Sequence, residues 1–454
     1  MKLSLSISEI VTTTGGEFFG KAEDHNDPFI RNIIIDSRSP LAGERTLFVA
    51  LTGKKSKGEN YLNDFANKGG KLAIVSQKVD SNIDQIVVQD PLKALQQLAE
   101  SHRQKFTIPV VGITGSNGKT VVKEWLYHTL NDQFKVVRSP KSYNSQIGVA
   151  LSVLQLTDKD EIAIFEAGIS QPGEMVRLEK MIRPTVGIFT GLGDAHSANF
   201  SSDTEKKKEK FILFGNVEHL IEPLDTPEEL VIPFDDDASI SNAQVVKLTA
   251  EHFNLPEDDI KIKLATLPTI AMRMEQISGK NGCTILNDAY SSDIQSLEIA
   301  LKHIELFTGV RKRVLFLTPF EEIKKTEELT ELLNASGIDE LIFFGTETDL
   351  SLPKINTHYF AGPQEYMSRA LEFEDALLLF KGSRKVGLEK IVKIYSEKKH
   401  VSRLLIDFNA IRNNLNYYKE YVEEGVKILA MVKAQSYGSG IVEMAQFLAN
   451  EKVD

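Results

Sequence analysis

Lys119 and Thr120 close the stretch GITGSNGKT, residues 112–120, which lies between the apolar run IPVV and the helix-like VVKEWLYHTL. A lysine and a hydroxyl at such a place can serve phosphate chemistry. Glycine recurs at Gly112, Gly115 and Gly118. Residues without a Cβ let backbone N–H groups face an anion, and the following helix adds its positive end. The Lys119 ammonium would neutralise the outer phosphates of a nucleotide, and the Thr120 hydroxyl would be offered to a magnesium ion. The spacing is not that of the common Walker A loop, because Ile113 stands where that loop has its first glycine. An ordinary Gly-rich strand-to-helix turn is the alternative; strand, Gly-Lys-Thr and helix in this order favour a nucleotide. The expected phosphate loop is Gly115, Ser116, Asn117, Gly118, Lys119 and Thr120.

Other polar residues fall where an open α/β sheet binds its ligands, at the C-terminal ends of strands. Glu166 follows EIAIF and could hold magnesium beside the phosphates, or be a solvated strand-end acid. His196, in GLGDAHSANF, follows the strand-like PTVGIFTG; a lone histidine is more often structural. Lys210, in EKKKEKFILF, reads by itself as one lysine of a solvated helical face.

The elements that must position these residues alternate between strand and helix from about residue 108: IPVVGIT, FKVVRSP, EIAIFEAG and PTVGIFTG, with helical segments between. This predicts an α/β fold with a parallel sheet covered on both faces. Residues 1–92 mix short strands with turns and form a first unit, and PLKALQQLAESHRQKF links it to a central unit over 93–295. FDDDASISNAQ reads as loop or edge structure. A third, Rossmann-like unit over 296–398 carries the strands RVLFLT, ELIFFG and DALLLFKG. Residues 399–454 read as strand, helix, strand, too few for a domain of their own.

The chain has 454 residues, 53 Lys and Arg against 64 Asp and Glu, and a net charge of −11. That balance argues against general nucleic-acid binding. A single cysteine, Cys283, excludes an internal disulfide framework or a Cys-rich metal site and fits a reducing cytoplasm. The start MKLSLSISEIVTT reads as no signal peptide, and no run of about 20 apolar residues spans a membrane.

GITGSNGKT, SYNSQIGVALSVL, EAGISQPGEM, GDAHSANF and KFILF occur in the order found in the Mur ligases, which the chain resembles over residues 1 to about 398. The resemblance implies a three-domain, ATP- and Mg2+-dependent ligase of peptidoglycan precursor synthesis. IDSRSPLAGERTLFVALTG, NDAYSSDIQSLEIAL and LLLFKGSRKVGLEKIV are similar to the members that join D-alanyl-D-alanine to UDP-N-acetylmuramoyl-tripeptide. It implies further that Glu166 and His196 bind magnesium, that Asn144 lies near the reacting phosphate, and that Lys210 is carbamylated by carbon dioxide. Ser37 and Arg38 match the element associated with the uridine nucleotide. A family Asn-Ala-Asn-Pro is replaced here by Ser291, Ser292, Asp293 and Ile294, so no adenine contacts follow. IDFNAIRNNL and LAMVKAQSYGSG resemble the start of alanine racemase, with Lys433 matching the lysine that holds pyridoxal phosphate. About two strands of an eight-stranded TIM barrel are expected here, so the cofactor and racemisation are expected only of a complete barrel. Two other readings remain: a Mur-type ligase for a different amino acid, and a nucleotide-binding scaffold without catalysis. Oligomeric state is left open.

Overall fold

In the computed structural model, residues 3–20, 29–53, 56–193, 199–224, 229–290, 293–305, 307, 309–319, 326–345, 350–397, 406–423, 426–433, 436, 440–451 and 453 are described. Three sheets organise them, each built mainly of parallel strands. The first holds β1 (Glu17–Phe19), β2 (Asn32–Ile34), β3 (Thr46–Val49), β4 (Leu72–Val75) and β5 (Asp84–Val87) in the order β1-β5-β4-β3-β2. Only β1 runs antiparallel to its neighbour.

The central sheet has β6 (Val110–Thr114), β7 (Val136–Arg138), β8 (Ile162–Glu166), β9 (Val186–Phe189) and β10 (His219–Ile221), all parallel, in the order β10-β9-β6-β8-β7. Every residue of β6 and β8 is buried, which is why both read as unbroken apolar runs rather than alternating ones. All five strands point their C-terminal ends the same way, so the turns after β6, β7 and β8 meet along one edge. Helix Pro91–Arg103 is capped by Asp90, whose side chain accepts from the N–H of Leu92 and Lys93. One apolar cluster runs from Leu47 and Ile74 of the first sheet through Leu95 and Leu98 of this helix to Phe165 of β8. The link between the first two units is therefore a shared core.

The third sheet joins β11 (Glu275–Ser278), β12 (Thr284–Asp288), β13 (Lys312–Leu317), β14 (Glu340–Phe344), β15 (Asn356–Phe360) and β16 (Ala376–Lys381) in the order β11-β12-β16-β13-β14-β15. This corrects the expected boundary between 295 and 296. β12 pairs in parallel with β16, and β11 folds back on β12, so both belong to the third unit. The polar stretch 234–244, expected as loop or edge structure, is helical from Asp237 on. Asp236 accepts from the N–H of Ser239 and starts the helix Asp237–His252, which buries Val245 and Val246. Asp288 and Lys381, at adjacent strand ends, form a buried ion pair at 2.5 Å.

After the third unit come two helices, Phe408–Tyr421 and Ile441–Asn450. The strand expected over 426–433 is absent: residues 426–432 have no regular structure, and Leu429 is 89% exposed. The helices pack together through Phe408 and the fully buried Phe447, ring centroids 4.9 Å apart. They lie against the first unit. Asn32 Nδ2 donates to Asn450 Oδ1 at 3.2 Å, and Arg412 Nη2 donates to the Ala42 carbonyl at 3.3 Å. No helix among the described residues is long and apolar enough to cross a membrane.

Candidate active site

The loop after β6 is shaped by its glycines. Gly115 has φ +151°, and a Cβ there would collide with Thr190 Oγ1. Gly118, at φ +81°, ends the loop as the N-cap of helix Lys119–Leu130. Only residues without a side chain adopt such backbone cheaply. The first helical N–H groups, which have no partner inside the helix, thus face the loop.

A cavity of about 340 Å³ opens beside the loop, lined among others by Gly115, Ser116, Lys119, Asn144, Glu174 and Lys210. Five residues singled out in the sequence therefore meet in one cleft, although Lys210 lies 91 positions after Lys119 (210 − 119). Lys119 Nζ donates to the carbonyls of Gly115 and Ser116 at 2.8 and 2.7 Å. Lys210 Nζ donates to the same Gly115 carbonyl at 2.9 Å. Lys210 is buried, unlike a lysine of a solvated face, and so is Lys206 one helical turn before it. Burial, with the charges of Lys119 and Lys206 beside it, brings the Lys210 amine down to about 6. Burial also lowers Lys119 to about 8, and the nearby Glu166 carboxylate opposes that shift.

Glu166 ends β8 with no exposed surface. Its Oε2 accepts from the Thr120 hydroxyl at 3.0 Å, and Thr120 Oγ1 lies 3.2 Å from Ser142 Oγ. A buried carboxylate and two hydroxyls are hard oxygen donors of the kind magnesium takes, with phosphate and water completing its shell. Among the described residues no three His, Cys, Asp or Glu side chains cluster as a metal site. His196 lies outside the described residues. Asn144 is carried by the turn after β7, and its carbonyl accepts from Gly168 N–H at 2.8 Å.

The other expected residues lie elsewhere. Ser37 and Arg38 follow β2 in the first unit; Ser37 is buried, while Arg38 reaches solvent and binds Asp36 through two hydrogen bonds of 2.9 and 2.7 Å. Those bonds hold the Asp36 carboxyl below its usual range. Lys433 is exposed in the tail.

Sequence reasoning missed a second cavity, of about 370 Å³, on the far side of the loop. Asn117 and Gly118 line it with Asn242, Arg273, Asp288 and His303. Its wall includes Trp125, stacked on Phe234 with centroids 5.2 Å apart. Arg273 in turn lies over the Tyr290 ring at 3.9 Å. These residues come from four separate stretches, and no local spacing ties them together.

The chain is similar to known proteins. Residues 113–271 match the Mur ligase middle domain, and residues 406–454 match the alanine racemase N-terminal domain. A UDP-N-acetylmuramoyl-tripeptide--D-alanyl-D-alanine ligase of Bacillus subtilis is 26% identical over 425 residues, covering 80% of this chain and 93% of that protein. The protein of the same name from Escherichia coli is 24% identical and covers 87% and 99%. The fold of MurF from Acinetobacter baumannii matches with a TM-score of 0.75 at 20% identity, over 86% of this chain and 98% of that one. MurF ligase from Thermotoga maritima, in complex with ADP, matches at 0.68 with 22% identity, over 80% and 96%. The chain thus carries a Mur ligase middle domain at its centre, within a fold like that of the MurF structures, and a match to the alanine racemase N-terminal domain after it.

Proposed function

We propose that the chain is an ATP-dependent amide ligase that joins D-alanyl-D-alanine to UDP-N-acetylmuramoyl-tripeptide in peptidoglycan precursor synthesis. The observation that carries this reading is the single cleft holding Lys119, Lys210 and Asn144 at the C-terminal edge of a parallel sheet, in a chain whose full-length relatives bear that ligase name. The tripeptide carboxylate attacks the γ-phosphorus of ATP, forming an acyl phosphate and releasing ADP. The amine of D-alanyl-D-alanine then attacks the acyl carbon, its proton is lost to solvent or a base, and phosphate leaves. Lys119, at the loop, stabilises charge on the phosphoryl group in transit. Glu166, Thr120 and Ser142 would hold magnesium, which supplies charge neutralisation on the phosphate oxygens when bound. Asn144 would orient the reacting groups from the turn after β7.

Lys210 takes a separate role in this reading. Near neutral pH its amine is largely uncharged and can attack carbon dioxide, forming an N–C bond and losing a proton. The carbamate is an anionic oxygen group where a lysine stood. Ser37 and Arg38 of the first unit would meet the uridine nucleotide, and the second cavity would take the adenosine end of ATP. For Lys433, pyridoxal phosphate chemistry is expected only in a complete barrel.

The test is phosphate release with candidate UDP-muramoyl peptides, with and without D-alanyl-D-alanine. Release that depends on both supports the assignment. Release stimulated by a different amine identifies another Mur-type ligase, and no turnover with any pair leaves a nucleotide-binding scaffold.

A further inference from the structure

Lys123 takes no part in the steps above, yet its side chain is fully buried in the helix that begins at Lys119. Its Nζ lies 2.9 Å from Glu166 Oε1 and 3.0 Å from Glu124 Oε1. It also donates to the carbonyl of Ser139, at 2.9 Å, and to that of Lys141. Four oxygens, two of carboxylates and two of carbonyls in one turn, thus surround one ammonium with three N–H donors. Lys141 is held at φ +50°, a left-handed conformation that a non-glycine residue adopts at a cost. The turn it belongs to brings Ser142 Oγ to 3.2 Å from Thr120 Oγ1 and leads to Asn144 in the cleft. Glu166 is met at both oxygens, Oε1 by the charge of Lys123 and Oε2 by a hydrogen bond from Thr120.

We infer that Lys123 is a positioning residue for the phosphoryl site: it fixes the Glu166 carboxylate and the Ser139–Ser142 turn, and through them the place of the divalent cation. This rests on the ligase reading for the identity of the nucleotide and cation. Two effects of removing Lys123 have opposite signs. Taking away a positive charge next to a cation site strengthens cation binding by Coulomb's law, whereas freeing Glu166 and the turn weakens it. The direction of the change therefore separates positioning from electrostatics.

The experiment measures ADP affinity by calorimetry on the full chain, once in EDTA and once with Mn2+. The proteins compared are the unmodified chain, Lys123→Met, and Lys123→Met combined with Glu124→Gln, which removes a carboxylate along with the ammonium. Expected is ADP affinity in EDTA within about twofold for all three, since the loop itself is untouched, and at least a tenfold loss of the tightening that Mn2+ brings, by the reciprocity of linked binding. Undiminished or greater tightening in either folded variant overturns the inference, as does an equal loss of affinity in EDTA. Should neither variant fold, nitrogen NMR of the unmodified protein decides. The Lys123 ammonium protons should be protected from exchange and should shift when ADP and Mg2+ are added; bulk-rate exchange overturns the inference. These readouts need no ligation, so a protein that tightens on Mn2+ but never ligates refutes the ligase reading alone.

Discussion

Removing carbon dioxide from the solution should switch the protein off reversibly, and Lys210 is the reason. An ordinary lysine amine near 10.5 is protonated at pH 7.5 by about a thousand to one, so proton competition opposes carbamate formation by about 4 kcal/mol. With the Lys210 amine near 6, that competition is nearly gone at the same pH. The sign follows directly. The amine is free above about 6 and protonated below, so carbamate should be present at pH 7.5 and lost as the pH falls through 6. The neighbouring cations contribute to this shift, so Lys206→Met should raise the Lys210 pKa and move the loss of carbamate to higher pH. The assay is carbon-13 NMR in labelled bicarbonate, following a carbamate signal that disappears in Lys210→Ala, with ADP release measured in parallel. Turnover should fall severely in Lys210→Ala and recover in part with short carboxylic acids in the buffer. A full-activity Lys210→Ala protein, or no Lys210-dependent signal at pH 7.5 in saturating bicarbonate, refutes the reasoning.

Lys119→Ala should lower turnover by roughly a thousandfold or more while leaving the far-ultraviolet circular dichroism unchanged, because its charge acts on the transferring phosphoryl group; near-normal ligation would remove it from the mechanism. Lys381→Met should cost about 3–5 kcal/mol of stability by leaving Asp288 without its buried partner, read as a lower urea midpoint at unchanged slope. The seating of the tail can be trapped: a Cβ built on Gly43 lies 3.8 Å from Asn450 Cβ, within the disulfide range. Gly43→Cys with Asn450→Cys should therefore cross-link under mild oxidation, visible as a mobility change reversed by reductant, and failure to do so would place the helices elsewhere.

What the sequence made legible was local. The buried strands β6 and β8 stood out as apolar runs, and the glycines before Lys119 marked the loop because the backbone they require is printed in the residue types. Lys210 was invisible from its surroundings, since EKKKEKF has the composition of a wet helix face; only the resemblance picked it out. Lys123 left a signal that went unread. It sits three residues after Thr120 and three before Leu126, on the inward stripe of its helix, where an unpaired lysine would not be tolerated. β11 and β12 were assigned to the wrong unit because strand pairing across almost a hundred residues has no sequence mark of its own.

The seating of the last two helices on the first unit turns the chain back on itself. Only about a dozen residues separate Tyr395, at the end of the third unit, from Phe408, and a fully extended stretch of that length reaches about 40 Å. While Arg412 and Asn450 hold Ala42 and Asn32, the outer units of the ligase are leashed to each other from outside the cleft. Any opening between them is limited by that leash, and a wider swing must first peel the helices from the edge strand β2.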